Sequence, residues 1–199
     1  MIYIIDYDAG NLRSVQKALQ SQGADAQVTS NPDDLRHADK VVFPGVGAFG
    51  KAMESVIKYG FEEPIKAFIQ TGKPFLGICL GLQLMLESSE ENPGVPGLSL
   101  IRGQVKRFAP HLKVPHLGWN ELRQTGDSPL WRDIPESTYF YFAHSFFIAP
   151  ENNDVVVGET EYDGPVPVAI RRENVYGLQF HPEKSQQYGL QILKNFIEL

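Results

Sequence analysis

The sequence predicts an α/β fold: a mostly parallel central sheet flanked by helices, with an additional antiparallel part in the second half. Three observations predict it. Up to Gly81, short apolar runs alternate with stretches of helical period, the pattern of parallel strands joined by right-handed crossovers. Beyond Leu98, six strand-like runs follow one another with turn residues between them. A closing stretch, 185–197, returns to helical spacing through Tyr188, Ile192, Leu193 and Phe196.

The first run, 2–6, is continuously apolar and ends in an acid, as a buried central strand does. Residues 8–11 form a turn with Asn11 as the expected N-cap of a helix through Leu12, Val15, Ala18 and Leu19, closed by Gly23. A strand at 26–29 follows. Asn31-Pro32-Asp33-Asp34 then supplies a cap, a proline at the first helical position and acids in the first turn of a short helix. The strand 40–43 opens into Pro44-Gly45-Val46-Gly47-Ala48-Phe49-Gly50. Helices are expected at 51–59 and 62–71, with Gly72 ending the second.

Pro74 to Ile78 reads as a strand running into a helix that starts near Cys79. Gly77 and Gly81 flank the cysteine at −2 and +2, where glycines relieve the crowding of a sharp strand-to-helix turn. Such an elbow lifts the thiol out of the sheet and sets it at a helix N-terminus, which favours thiolate. The Leu80 N–H points into the same space and can meet a developing oxyanion. An oxyanion hole needs a second donor, and the Pro44–Gly47 turn, around Val46, is its expected source. Gln83, four residues after Cys79, shares its helix face. The alternative is a small buried apolar cysteine, the commoner fate of a lone Cys. Both glycine-bearing turns follow strands and so belong at the carboxyl edge of the sheet. Neither is a phosphate loop, because no Gly-Lys-Ser/Thr follows.

The Pro- and Gly-bearing stretch 87–98 reads as a loop. The strands expected after it are 104–108, 120–123, 138–143, 154–160, 166–171 and 175–180, antiparallel and local. One domain over 1–199 is expected, because the last strand carries residues that the first half needs. That strand leads into Phe180-His181-Pro182-Glu183-Lys184-Ser185. In an extended segment His181 and Glu183 point the same way. A nucleophilic thiol needs a base, and an imidazole base needs a carboxylate to fix its tautomer. The competing reading is a surface His-Pro-Glu turn. Of the other histidines, His37 and His111 sit in polar contexts, whereas His116 and His144 have apolar flanks that suit structural histidines.

The chain has 199 residues, a formal net charge of −6 and one cysteine. The charge argues against nucleic acid and anionic membranes as partners. One cysteine excludes an internal disulfide and fits a reducing compartment. No His or Cys pair has zinc-ligand spacing, so no metal is expected. No run is long enough to span a membrane, and the first residues lack a basic flank, so a cytoplasmic protein is expected.

Together, Gly77-Ile-Cys79-Leu-Gly-Leu-Gln83 and Phe180-His181-Pro-Glu183-Lys184-Ser resemble the triad-type, class I glutamine amidotransferase domain, whose three-layer fold the resemblance implies. Tyr7-Asp-Ala-Gly-Asn-Leu-Arg-Ser-Val15, Pro44-Gly-Val-Gly-Ala-Phe49, Pro115-His-Leu-Gly-Trp-Asn120 and Tyr139-Phe-Tyr-Phe-Ala-His-Ser145 resemble one branch, the glutaminase subunits of imidazole glycerol phosphate synthase. Phe146 departs from that pattern, in which Tyr is more usual. The resemblance implies Cys79 as nucleophile, His181 as base and acid, and Glu183 as its orienter. It implies an oxyanion hole at Val46, Gly47 and Leu80, and glutamine contacts at Gly47, Gln83 and Ser145. It further implies a heterodimer with a (β/α)8-barrel cyclase subunit, contacted through Asn11, Trp119, Tyr141 and Lys184, and no cofactor. For Trp119 a core position is the alternative. Two rival functions remain open at this level: the glutaminase subunit of another synthase, and a free-standing cysteine hydrolase of the same fold.

Overall fold

The computed structural model describes residues 1–8 and 10–199; Ala9, in the turn expected at 8–11, lies outside the described residues. The first half runs β1 (Ile2–Ile5), α1 (Leu12–Ser21), β2 (Ala26–Thr29), β3 (Lys40–Gly45), α2 (Phe49–Lys58), α3 (Glu62–Gln70), β4 (Phe75–Cys79) and α4 (Leu80–Leu84). The second half runs β5 (Ser88–Ser89), β6 (Gly103–Arg107), β7 (His116–Gln124), β8 (Thr138–His144), β9 (Phe146–Pro150), β10 (Val156–Glu161), β11 (Pro165–Arg172), β12 (Val175–Leu178) and α5 (Gln186–Ile197). Nine strands form one sheet in the order β2-β1-β3-β4-β12-β11-β10-β7-β8, and β5-β6-β9 form a second. From β2 to β12 the pairing is parallel; from β12 to β8 it is antiparallel.

Alternation along the parallel strands divides the core in two. Val42, Leu76 and Ile78 face a cluster with Val15 and Leu19 of α1 and Ile192, Leu193 and Phe196 of α5. Val41, Phe43 and Phe75 face a second cluster with Val56 of α2, Ile65 and Phe68 of α3, and Leu82 of α4. Helices therefore cover both faces of the sheet, which makes three layers. Those strands are buried on both sides, which is why they read as unbroken apolar runs.

Several expectations need correction. The last strand is not local: β12 pairs parallel with β4, Gly177 opposite Gly77 and Leu178 opposite Ile78. It ends at Leu178, and Pro182–Lys184 form a 3-10 turn. His181 and Glu183 therefore converge through a turn rather than through an extended segment, since Pro182 at its first position preorganises helical φ. Asn11 is not a helix cap. Its φ of 72° is left-handed, and its side chain makes no bond to α1. Strand β7 is longer than expected because Leu117 and Trp119 face solvent, which spoils its apolar alternation. Strand β9 was not foreseen. The run from Tyr139 to Ala149 has no turn residue to mark the break at Ser145, where the chain passes from the large sheet to the small one.

Candidate active site

Three strand ends meet at the carboxyl edge of the parallel sheet. Gly45 of β3 is in register with Cys79 of β4, and the β12 register carries Gln179 to the level of Cys79. Cys79 has φ 53° and ψ −109°. That conformation is sparsely populated for a residue with a Cβ, and such positions cost on the order of 1–3 kcal/mol. The neighbouring glycines permit it. A Cβ on Gly81 would lie 1.7 Å from the Phe43 carbonyl oxygen, and one on Gly77 would lie 2.6 Å from the Met85 sulfur. The elbow is thus set by backbone proximity at these two positions.

His181 is 2% exposed and its Nδ1 lies 2.8 Å from Glu183 Oε1. The Glu183 side chain is wholly buried. Burial acts to lower the His181 pKa, but the adjacent Cys79 and Glu183 side chains outweigh it and push it up to about 9. Asn11 Nδ2 donates to the same Glu183 Oε1. The segment is held from above by His181 N–H on Tyr141 O (3.0 Å) and by Ser185 Oγ, which donates to His181 O and accepts from Tyr141 N–H.

A cavity of about 210 Å³ beside the thiol is lined by Val46, Gly47, Cys79, Leu80, Gln83, Glu91, His144, Ser145 and Phe146, among others. It gathers the residues singled out for the oxyanion hole and for substrate contact. His181 and Glu183 are not part of its wall. A larger groove of about 450 Å³, lined by Leu35, Pro64 and Phe68, holds no nucleophile. Gln83 Nε2 donates to Phe146 O (3.1 Å) and to Gln179 Oε1 (3.0 Å). Both its N–H groups are committed, so any contact it makes to a ligand runs through its carbonyl oxygen. Phe146 contributes its backbone oxygen here, which a Tyr would supply equally, so its missing hydroxyl leaves this network intact.

Sequence reasoning missed two residues. Gln179 is fully buried and its Nε2 lies 3.7 Å from Cys79 Sγ. A polar residue inside the apolar run 175–180 was the available signal. Glu91 lies in the loop 87–98, where nothing local marks it. It lines the cavity, and its carboxylate accepts the Phe49 N–H at 2.8 Å. Among the described residues, no group of three or more His, Cys, Asp or Glu side chains is placed to hold a metal ion.

His116 and His144 are buried, as their apolar flanks suggested, and form a pair. His144 Nδ1–H donates to Phe146 O (2.8 Å), so its Nε2 accepts from His116 Nδ1–H (3.0 Å), whose Nε2 accepts from Asn120 Nδ2 (3.2 Å). Both rings are therefore neutral in the fold. Burial lowers their pKa values to about 4 and about 3. Their contribution to stability is present above the unfolded value near 6.5 and is lost as pH falls toward those values. His181, raised to about 9, contributes below 6.5 and loses its contribution as pH rises through 9. Stability should then peak near pH 6.5, with an acid limb between pH 6.5 and 5 approaching about 1.4 kcal/mol per pH unit for each of the two histidines. Denaturant melts from pH 5 to 9 check this, and a midpoint that keeps rising toward pH 5 contradicts it.

Of the residues assigned to a partner surface, Trp119 is 46% exposed, so it is not a core tryptophan. The core position belongs to Trp131, whose Nε1 donates to Val157 O. Trp119 lies opposite Tyr141 across the β7–β8 pair, with ring centroids 6.2 Å apart. Lys184 Nζ stands 5.8 Å from the centre of the Tyr141 ring. Asn11 is only half-exposed, with its amide on Glu183.

The family described as glutamine amidotransferase class-I matches residues 3–199. The imidazole glycerol phosphate synthase subunit HisH of Methanothermobacter thermautotrophicus is 52% identical, over all of this chain and 98% of its own. The HisH subunits of Moorella thermoacetica (50%, covering 100% and 94%) and Methanocaldococcus jannaschii (46%, covering 100% of both) are similar. A crystal structure of a glutamine amidotransferase superposes with a TM-score of 0.79 at 20% identity, over 100% of this chain and 98% of that one. A putative GMP synthase protein from Thermoplasma acidophilum superposes at 0.73, also at 20% identity, over 99% and 92%; these two likenesses speak to fold. Motif, architecture and full-length identity agree, and the chain belongs to the class I glutamine amidotransferase family.

Proposed function

We propose that this chain, as a single amidotransferase domain over 1–199, hydrolyses glutamine and passes the ammonia to a (β/α)8-barrel cyclase subunit. The two would form the heterodimeric imidazole glycerol phosphate synthase of histidine biosynthesis, in the cytoplasm. The observation that carries the reading is the strained Cys79 elbow beside the buried His181–Glu183 pair. It occurs in a chain about half-identical, end to end, to several HisH subunits.

In this reading Cys79 Sγ attacks the side-chain amide carbon of glutamine. Negative charge develops on the amide oxygen and is met by the Leu80 N–H and by a donor from Val46 or Gly47. His181, held by Glu183, gives its proton to the leaving nitrogen, so ammonia departs and a glutamyl thioester remains. Water, deprotonated by His181, then attacks the thioester, and glutamate leaves as Cys79 is restored. The substrate's α-ammonium needs an anion, and Glu91 is the carboxylate in the cavity wall. The Gln83 carbonyl oxygen and Ser145 complete its polar contacts. The products at the partner would be imidazole glycerol phosphate and aminoimidazole carboxamide ribotide.

The test is ammonia and glutamate release, together with cyclase product, by the chain mixed with the cyclase. Full glutaminase activity without any partner, and no product with it, would instead support a free-standing hydrolase. The docking surface is proposed around Trp119, Tyr141 and Lys184, an aromatic cluster with a cation at the same sheet edge as the thiol. Interface anchors are often aromatic. Trp119→Ala should weaken association at least tenfold by titration calorimetry and leave the melting temperature of the free chain within a few degrees. A chain that no longer folds would instead give Trp119 a structural role.

A further inference from the structure

We propose that Asn11 is a positioning residue for the catalytic pair, holding Glu183 in the orientation in which it orders His181. The inference rests on the glutaminase reading and adds a group to it. Glu183 is a wholly buried carboxylate, and an ionised one accepts hydrogen bonds only. Its Oε1 receives two donors, His181 Nδ1 and Asn11 Nδ2. Its Oε2 has no partner among the described residues. A carboxylate tied by the imidazole alone can swing about its last torsion and carry the ring with it. A second donor on the same oxygen fixes the plane. A neutral amide does this without supplying a rival cation, so the carboxylate's charge stays directed at the imidazole.

The backbone supports the assignment. Asn11 has φ 72°, the left-handed region that Asn enters more readily than most residues. Its carbonyl accepts the Val15 N–H and so belongs to the first turn of α1, while its side chain makes no bond to that helix. The residue that could have capped α1 is instead turned onto a group 172 positions along the chain.

The assembled enzyme is assayed for glutamine hydrolysis, with kcat and KM measured from pH 5 to 9, for the parent, Asn11→Gly and Asn11→Asp. Glycine keeps the left-handed backbone and removes only the amide. Asn11→Gly should lower kcat about tenfold with KM unchanged, the loss expected for one hydrogen bond to a charged group. Asn11→Asp should lose more at pH 8 and recover as pH falls, because a protonated carboxyl donates where an ionised one repels Glu183. In a Glu183→Ala background, Asn11→Gly should cost nothing further. An unchanged kcat in Asn11→Gly, or an equal loss with and without Glu183, overturns the inference while leaving an active parent and its glutaminase assignment standing. A parent without glutaminase activity overturns the underlying reading, and this inference with it.

Discussion

Cys79→Ala should abolish glutamine-dependent synthesis by the complex while ammonia supplied from solution still drives the cyclase. Cys79 is the only thiol in the chain, so no second nucleophile can substitute. Its loss removes the covalent step, and the remaining donors cannot split an amide at a useful rate. The residual rate should be at or near the uncatalysed background, the largest effect of any substitution considered. The partner's own chemistry is untouched, which makes ammonia-dependent turnover the internal control. Folding is a second control, because the elbow is strained at φ 53°. Cys79→Gly, which relieves that strain, should melt above Cys79→Ala by the equivalent of about 1 kcal/mol. Loss of ammonia-dependent synthesis as well would make Cys79 a structural residue.

Glutamine hydrolysis by the isolated chain should be slow and should rise by at least about a hundredfold with the cyclase and its nucleotide ligand bound, since one oxyanion donor is worth roughly 10²–10³ in rate. The structure gives this switch a confined location. On one side, the Tyr7 hydroxyl donates to the Pro44 carbonyl at 3.0 Å, and Gly45 pairs with Cys79. On the other, the Phe49 and Gly50 N–H groups are held by the Glu91 carboxylate and the Asn92 side-chain oxygen, both at 2.8 Å. Between these pins lie Val46, Gly47 and Ala48. Val46 is 44% exposed, and Gly47 has φ 112°, where a non-glycine residue is strained. A turn held at both ends and centred on glycine can rotate one peptide without disturbing either strand or helix. Gly47→Pro removes an N–H and cannot adopt that φ, so it should suppress activation while assembly persists. Steady-state assays of the chain alone, with the cyclase, and with the cyclase plus its ligand decide the matter. Equal rates in all three remove the switch and favour a hydrolase that needs no partner.

Much of this site was legible before the fold was known, because its parts are local. The elbow is written in glycines two residues either side of Cys79, where backbone crowding leaves no other choice. His181 and Glu183 are separated by one proline, so their proximity needs no tertiary contact. The parallel half was legible because strands buried on both faces carry unbroken apolar runs. What lay beyond the sequence depends on which distant segments pair. The parallel docking of β12 on β4 brings Gln179 level with Cys79, and nothing in either segment names the other as its partner. The same holds for Asn11 and Glu183, and for the His116–His144 pair, which joins facing residues of β7 and β8. Asn11 was read as a cap because cap chemistry is local, and its amide was claimed instead by a buried carboxylate that local sequence cannot place. Periodicity and turn chemistry thus determined the elements and the nucleophile; the tertiary structure alone decided the partners of its polar groups, because a hydrogen bond requires placement to within a few tenths of an ångström, which only the closed core imposes.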